Sequence, residues 1–232
     1  MPNLETLLAR NLGCSRRRAR RLLADERADL PDRVTDEMLP FRMTLAGRPV
    51  ELHDTFHLML HKPWGCVTAL ADARHATASR FVSEAPLAAE LRPVGRLDFE
   101  TTGLLLWTTD GAWLHRLTHP RMEIPRGYHV ALARPHQAPP ADFVLRDGHR
   151  PRVVELGPLL AHAAHPALAR PADAAAFAAI TITGGAYHEV RRIFAALGSH
   201  VLALCRVSYG ALTLPVDLPP GNWRPISKQD VE

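Results

Sequence analysis

The sequence predicts an α+β protein whose larger part is a mixed, mostly antiparallel sheet. Two observations support this class. Several short segments either alternate apolar and polar residues or run continuously apolar, as β-strands do, while only two helical patterns lie among them. The strand-like segments are 56–61, 104–109, 128–133, 180–183 and 201–207. The 232 residues are 47% hydrophobic and 22% charged, which is typical of a globular protein.

The chain is predicted to begin with a small α/β module over residues 1–54. Asn3 is suited to cap a first helix, and Gly13 follows the last leucine of its apolar stripe. Ser15 is suited to cap a second helix, in which alanine and leucine again recur at helical spacing. Two short helices with one apolar stripe each therefore open the module.

The second helix carries five arginines in six positions, at 16, 17, 18, 20 and 21. Their mutual repulsion is not relieved by acidic residues one helical turn away. The polyanionic backbone of a nucleic acid would neutralise them, whereas the alternative is a solvated helix face. We expect Arg16, Arg17 and Arg20 to contact RNA.

Residues 55–232 carry the remaining elements. After the strand at 104–109, a helix is predicted to follow the turn at Asp110 and to stop before Pro120. A second helix is predicted over 187–197, with Gly198 just past its end. Two segments rich in Pro, Ala and His are predicted to be loops or short irregular helices: 134–141 and 156–175.

Composition and spacing argue against several classes of protein. The longest strongly apolar stretch, 103–107, is far shorter than the roughly 18 residues of a membrane helix. The first ten residues lack the pattern of a secretory leader, so we expect a cytoplasmic protein that does not bind membranes. The formal net charge is +4, and all but two of the 28 basic residues are arginine, the residue best suited to phosphate.

No metal site is predicted. The three cysteines are widely spaced, which favours neither a zinc site nor a disulfide framework. His115 and His119 stand four apart, but the glutamate of the zinc-protease motif is absent and Pro120 ends the helix.

One segment, 95–106, places a basic residue, an acidic residue and a small polar turn directly before an apolar strand. Taken alone, Asp98 in this segment fits either a turn residue that binds nearby amides or a catalytic carboxylate. The run from Arg96 to Leu106, RLDFETTGLLL, resembles the signature of RNA pseudouridine synthases. Five further blocks resemble that family in its own order: 60–65, 115–121, 128–130, 187–194 and 204–206.

The N-terminal module narrows the resemblance to the branch that has an S4-like domain and acts on ribosomal RNA. It implies an S4-like RNA-binding domain at 1–54 and a catalytic domain of the pseudouridine synthase type at 55–232. This chain departs from the family by having Glu189 where glutamine is usual and Arg126 where lysine is usual. The S4 pattern is also weak over 27–40.

The resemblance assigns roles at the matched positions. Asp98 would be the nucleophile, Arg191 its cationic partner, and Tyr128 the ring that stacks on the uracil. Arg96 would help to hold the flipped nucleotide and Leu204 would wall the base pocket. Further contacts with the RNA are expected from Lys62, Arg192 and Arg206. Helical geometry agrees in part, because Arg191 flanks the apolar stripe of its helix and Arg192 points nearly opposite.

The implied reaction detaches uracil from the ribose and rejoins it through C5, with no metal or cofactor. The expected substrate is one uridine of 16S ribosomal RNA, free or within a partly assembled small subunit, and the expected state is a monomer. Two alternatives stay open: a uridine of 23S ribosomal RNA, and a catalytically silent protein that binds ribosomal RNA or assists ribosome assembly.

Overall fold

The structure is a computed structural model that describes residues 2–24 and 30–232. Residues 27–29, where the S4 pattern begins to weaken, lie outside this part. The described part has four α-helices: α1 (Leu4–Asn11), α2 (Arg16–Ala24), α3 (Gly111–Thr118) and α4 (Glu189–Ala196). Its first six strands are β1 (Phe41–Leu45), β2 (Arg48–Leu52), β3 (His57–Lys62), β4 (Arg92–Pro93), β5 (Thr101–Thr108) and β6 (Arg126–Leu132). The last five are β7 (Val153–Pro158), β8 (Ala176–Ile182), β9 (Val201–Tyr209), β10 (Leu212–Thr213) and β11 (Trp223–Pro225).

The first two helices begin where the sequence predicts, and the first also ends there. The side chain of Asn3 accepts a hydrogen bond of 2.9 Å from the amide of Glu5, and Ser15 Oγ accepts one of 3.3 Å from Arg18. Gly13 has a φ of 57°, the left-handed conformation in which glycine commonly ends a helix. The apolar stripes of α1 and α2 pack together with the antiparallel hairpin of β1 and β2 in one hydrophobic cluster.

The other strands form one large sheet in the order β11-β3-β5-β9-β6-β8-β7, with β4 beside β5 and β10 beside β9. Only the pairing of β5 with β9 is parallel among the described strands, and the rest are antiparallel. The predicted α+β class with a mixed, mostly antiparallel sheet is confirmed.

Both faces of the sheet are covered. Helix α4 packs its Val190, Ile193 and Phe194 on one face, in the same cluster as apolar residues of β3, β5, β6, β8 and β9. Helix α3 and the C-terminal segment cover the other face. Central strand β5 is therefore buried on both sides, which explains its continuous apolar run.

The parallel contact between β5 and β9 depends on a glycine. Gly103 pairs with Arg206 and has a φ of 107°. A Cβ atom at Gly103 would lie 2.2 Å from the carbonyl oxygen of Arg206, so any other residue would push the two strands apart. The close approach brings the start of β5 against the middle of β9.

The structure corrects the prediction at several short elements. Strand β7 covers 153–158, so the predicted loop 156–175 begins inside a strand. Its glycine and proline hide the strand pattern, and pairing with β8 at the sheet edge orders it. No specific prediction was made for five strands: β1, β2, β4, β10 and β11. Three of them, β4, β10 and β11, have only two or three residues, which is too short to show the alternation of a strand.

Within the described residues, no helix has the length and apolar character required to cross a membrane.

Candidate active site

A cavity of about 300 Å³ opens beside the point where β5, β6 and β9 meet α4. We call it the reactive pocket. Its lining includes five residues that the sequence singled out: Arg96, Asp98, Tyr128, Arg191 and Leu204. They come from four separate parts of the chain, and the fold brings them together.

Sheet register explains this meeting. Thr101 at the start of β5 lies opposite Leu204 of β9, and Val130 of β6 lies opposite the same leucine. The amide of Thr101 donates a hydrogen bond of 3.1 Å to the carbonyl oxygen of Asp98, which closes the turn before β5. Asp98 is thereby held at the end of a rigid strand.

The carboxylate of Asp98 lies beside His188, which forms an ion pair with it only when the imidazole is protonated. Nε2 of His188 lies 3.6 Å from Oδ1 of Asp98, and both side chains are a little over one-third exposed. His188 has a φ of 50° and immediately precedes α4. This left-handed conformation is uncommon outside glycine and turns the chain into the helix beside the pocket.

Arg191 does line the pocket, but its charge partner differs from the expected one. Its Nη2 lies 3.2 Å from Oε2 of Glu100, and its Nη1 donates a hydrogen bond of 3.2 Å to the carbonyl oxygen of Val201. The expected direct pair with Asp98 is not formed. A wheel projection gives the face on which an arginine lies, but a side chain of this length can reach several acceptors from that face.

Lys62, which was expected to contact RNA, has a fully buried side chain and does not line the reactive pocket, so this expectation is corrected. The ammonium donates hydrogen bonds to the carbonyl oxygens of Thr101 (2.8 Å) and Pro63 (3.0 Å). Burial lowers the pKa of Lys62, while the nearby Cys66 and Asp98 act in the opposite direction. Lys62 thus holds the first residue of β5 by a hydrogen bond and adds positive charge near Asp98.

Thr101 is a pocket residue that the sequence motif contains but that reasoning from the sequence gave no role. It is 1% exposed and lines the reactive pocket. Its Oγ1 has no hydrogen-bond partner among the described residues. A buried hydroxyl without a partner is costly, so a group that binds in the pocket is its natural partner.

A second cavity of about 620 Å³ adjoins the reactive pocket, and Arg96, Tyr128 and Glu189 are among the residues that line both. We call it the arginine cavity. Besides Arg96, four arginines line it: Arg126, Arg150, Arg152 and Arg206. Arg206, expected to contact RNA, lies here rather than in the reactive pocket.

Glu189 is the position at which this chain departs from the family's glutamine. It is 4% exposed, and its carboxylate lies 2.6 Å from Nε2 of His149. It also accepts a hydrogen bond from the amide of Ala186. A Cβ atom at Gly184 would lie 2.4 Å from Glu189 Oε2, so glycine allows this carboxylate to pack against the loop. The departure is accompanied by a specific partner.

The other arginines expected to contact RNA lie away from the pocket. Arg192 is paired with Asp147, so its guanidinium is already engaged by the protein. On α2, Arg16 and Arg17 are exposed, whereas Arg20 forms an ion pair of 3.0 Å with Glu5 of α1. Arg20 is still 68% exposed, but it also has a structural contact.

Two exposed aromatic residues near the site had no predicted role. Tyr187 is 71% exposed, lines the reactive pocket and stacks on His188 with ring centroids 3.8 Å apart. Trp64 is 64% exposed and lies against Phe99, the neighbour of Asp98. Exposed rings near a pocket are suited to stacking on unpaired bases. Exposure is a tertiary property, which the sequence pattern does not report.

Within residues 2–24 and 30–232, no three His, Cys, Asp or Glu side chains lie together so that they could hold a metal ion. Burial raises the pKa of the Cys66 thiol and raises that of Cys205 to about 11.

Comparison with known proteins gives consistent results. Residues 56–196 match the family model of RNA pseudouridylate synthase. The chain is similar to ribosomal small subunit pseudouridine synthase A of Escherichia coli strain K12, with 34% identity that covers 98% of this chain and 97% of the relative. The protein of the same name from Vibrio cholerae is also 34% identical, over 98% of this chain and 97% of its own length.

A solved structure agrees over the whole chain. The crystal structure of a pseudouridylate synthase superposes with a TM-score of 0.61 and 25% identity, and the match covers 100% of this chain and 98% of the other.

Proposed function

Because the chain belongs to the RNA pseudouridylate synthase family, we propose that it converts one uridine of 16S ribosomal RNA into pseudouridine. The observation that carries the proposal is a single pocket lined by a carboxylate, an aromatic ring and an apolar wall: Asp98, Tyr128 and Leu204. A volume of about 300 Å³ is at the small end of ligand pockets and suits one nucleotide. The choice of small-subunit RNA is supported by the names of relatives that align along almost the entire chain.

The reaction is an isomerisation in which all atoms are conserved. The bond between N1 of uracil and C1′ of the ribose breaks, the base turns, and a bond between C5 and C1′ forms. The hydrogen on C5 leaves as a proton, and N1 gains a proton. On this proposal, Asp98 starts the exchange by acting on the ribose, and Tyr128 stacks on the freed base and removes the C5 proton.

In this role Asp98 acts as a carboxylate, and three nitrogen-bearing side chains lie near it. His188 lies 3.6 Å from its carboxylate, and the buried Lys62 lies beneath the turn that carries it. Arg191 acts one step away, because it faces the same pocket but pairs with Glu100. Positive charge near Asp98 thus comes from Lys62 as well as Arg191, and His188 adds to it only when its imidazole is protonated.

The target nucleotide must leave its stack, which costs a few kcal/mol. We propose that Arg96 at the pocket wall holds the flipped nucleotide and that Tyr187 or Trp64 stacks on a base left behind. The exposure of both rings supports this assignment. Contacts of this kind offset part of the cost of flipping.

We propose that residues 1–54 are an S4-like RNA-binding domain and that residues 55–232 are the catalytic domain. The separate hydrophobic cluster of α1, α2 and the β1–β2 hairpin supports the division. The exposed Arg16 and Arg17 on α2 support the RNA-binding role. On this proposal the enzyme acts as a monomer in the cytoplasm.

The test is to incubate the purified protein separately with 16S and 23S transcripts and with small-subunit particles, and then to map pseudouridine at nucleotide resolution. We expect one new pseudouridine in 16S ribosomal RNA. A product only in 23S ribosomal RNA would change the substrate and keep the reaction. No product in any of the three, with RNA binding retained, would favour the silent RNA-binding alternative.

A further inference from the structure

The arginine cavity contains more positive charge than the protein neutralises. Five arginines and one glutamate line it, and the glutamate, Glu189, is already paired with His149. Among the described residues, only Arg152 of the five has a carboxylate partner, Glu123. Guanidinium groups crowded in this way repel one another unless an anion binds between them.

Arg206 gives the strongest indication that an anion binds in the cavity. It is 2% exposed, its Nε donates a hydrogen bond of 2.7 Å to the carbonyl oxygen of Leu104, and its guanidinium lies 5.2 Å from the ring centre of Tyr209. Its Nη2 has no hydrogen-bond partner within the described part of the chain. A buried charged donor in that state is expensive, and a bound anion would satisfy it.

Arg126 is held on the same tyrosine. Its guanidinium lies 5.0 Å from the ring centre of Tyr209, and its Nη2 donates a hydrogen bond of 3.2 Å to the tyrosine hydroxyl. Tyr209 Oη in turn donates to the carbonyl oxygen of Leu117. One buried ring therefore orders two arginines, so little side-chain entropy is lost when they bind a ligand.

We propose that the arginine cavity binds a backbone phosphate of the RNA strand immediately next to the flipped uridine, with Arg206 as its buried anchor and Arg126 and Arg150 beside it. This inference rests on the proposed function. Because Arg96 and Tyr128 line both cavities, a nucleotide in the reactive pocket places its neighbouring phosphodiester at this opening. The planar fork of a guanidinium matches the oxygens of a phosphate.

The first experiment neutralises single phosphates. Short RNA hairpins that contain the target uridine are made with one uncharged methylphosphonate linkage, placed in turn along the strand, and binding to the native protein is measured. We expect a linkage next to the target to weaken binding about tenfold, the value of one charged hydrogen bond, and distant linkages to matter less. Equal effects at all positions would overturn the proposal.

The second experiment tests whether the effect of the neutral linkage depends on the arginines of the cavity. Arg206→Lys keeps the charge but removes the fork, and Arg150→Gln removes an exposed charge without disturbing the core. Arg224→Gln on β11 is the matched control, because Arg224 lies outside the arginine cavity and forms a surface ion pair with Asp217. We expect both cavity variants to bind the normal RNA about tenfold more weakly and to raise KM more than they lower kcat.

The decisive result is non-additivity. The methylphosphonate next to the target should weaken binding less in Arg206→Lys than in the native protein and Arg224→Gln. Arg150→Gln should show the same effect to a smaller extent. Full additivity in both cavity variants would overturn the phosphate site, and Arg150→Gln gives this answer even if Arg206→Lys does not fold. Failure of the proposed function is a separate outcome, since it would show as no pseudouridine formed by the native protein, whereas the phosphate site is judged by non-additivity in binding alone.

Discussion

Several side chains, rather than one arginine, surround the carboxylate of Asp98. Its carboxylate lies 3.6 Å from His188, with Lys62 buried below and Arg191 across the pocket. Because the side chain of Asp98 is 38% exposed, water screens part of each interaction. Loss of one cation should therefore be tolerated better than loss of the carboxylate itself.

Asp98→Asn should abolish pseudouridine formation, because the amide keeps the size of the side chain but can neither attack the ribose nor take a proton. Binding of RNA should persist, since it depends on arginines elsewhere. The measurement is release of the C5 hydrogen from labelled ribosomal RNA, alongside filter binding. Near-native turnover would show that another residue starts the reaction.

The control for this variant must be a carboxylate with no part in the pocket. Glu100→Gln is unsuitable, because Glu100 pairs with Arg191. Glu84→Gln is a better match, as Glu84 is exposed and outside the lining of the pocket. It should keep both turnover and affinity.

Thr101→Val should separate stability from activity. The two side chains are nearly the same size, and valine removes a buried hydroxyl that has no partner within the described residues. The free protein should become more stable by roughly 1 kcal/mol, while turnover falls because the bound nucleotide loses its partner. Thermal unfolding and single-turnover kinetics check the two effects. Thr101→Ser should recover turnover, and unchanged kinetics in Thr101→Val would count against contact with the nucleotide.

At the scale of helices and strands, sequence reasoning succeeded where an element is long or capped. Asn3 and Ser15 mark helix starts by their own hydrogen bonds, and β5 is an eight-residue strand buried on both faces. It failed where neighbours impose the structure, as in β7, which contains glycine and proline and is ordered by pairing with β8.

The same distinction applies to the pocket. Motif position located Asp98, Tyr128 and Leu204 on one cavity, because register and chain path fix where short side chains lie. The partners of Arg191 and the burial of Lys62 could not be predicted, since long flexible side chains choose among acceptors that only the folded chain brings near. Tertiary approach, rather than local pattern, decides such contacts.

Helix α2 allows a prediction of its own. Replacing Arg16 and Arg17 with alanine should weaken binding to ribosomal RNA and reduce its salt dependence by about 0.7 to 0.9 log units per lost phosphate contact. Turnover at saturating RNA should change less than affinity. Titrations at several salt concentrations measure this, and an unchanged slope would mean that α2 is only a solvated face. Arg20→Ala is best made separately, because it also breaks the pair with Glu5.

For the molecule as a whole, buried and half-buried histidines set the response to acid. Burial lowers the pKa of five histidines, of which His61 is buried and the others half-buried: His53, His57, His61, His129 and His165. Below pH 6.5 the unfolded chain binds protons at these positions that the folded chain does not yet bind, so the free energy of unfolding falls as the pH falls.

We therefore expect the midpoint of urea unfolding to fall steadily between pH 7 and 5.5. The slope is at most about 1.4 kcal/mol per pH unit for each histidine, and less for those that remain partly exposed. The pKa of Asp110, lowered by its bond to Lys228, acts only at more acidic pH, outside this window. Constant stability across the window would contradict the prediction.

The two parts of the chain are joined by more than their covalent connection. Arg10 of α1 donates two hydrogen bonds, of 2.8 and 2.9 Å, to Glu90 in the catalytic part, and also binds Asp54. Asn11 exchanges hydrogen bonds with the backbone of His53. The bonds to Glu90 hold α1, and with it the packed α2, against the part that carries the pocket, whereas the bonds to His53 and Asp54 fix α1 to the end of its own part.

On the proposed function, this junction fixes the distance between the RNA contact on α2 and the reactive pocket. Once α2 has engaged the RNA, the pocket meets the strand at an effective concentration of the order of millimolar, as for short tethers, so neither unit needs to bind tightly alone. A junction held by Arg10 also keeps the spacing between the two contacts constant. Only a uridine that the folded RNA presents at that spacing receives the benefit of both, and selection of one site among many then follows from distance as much as from local sequence.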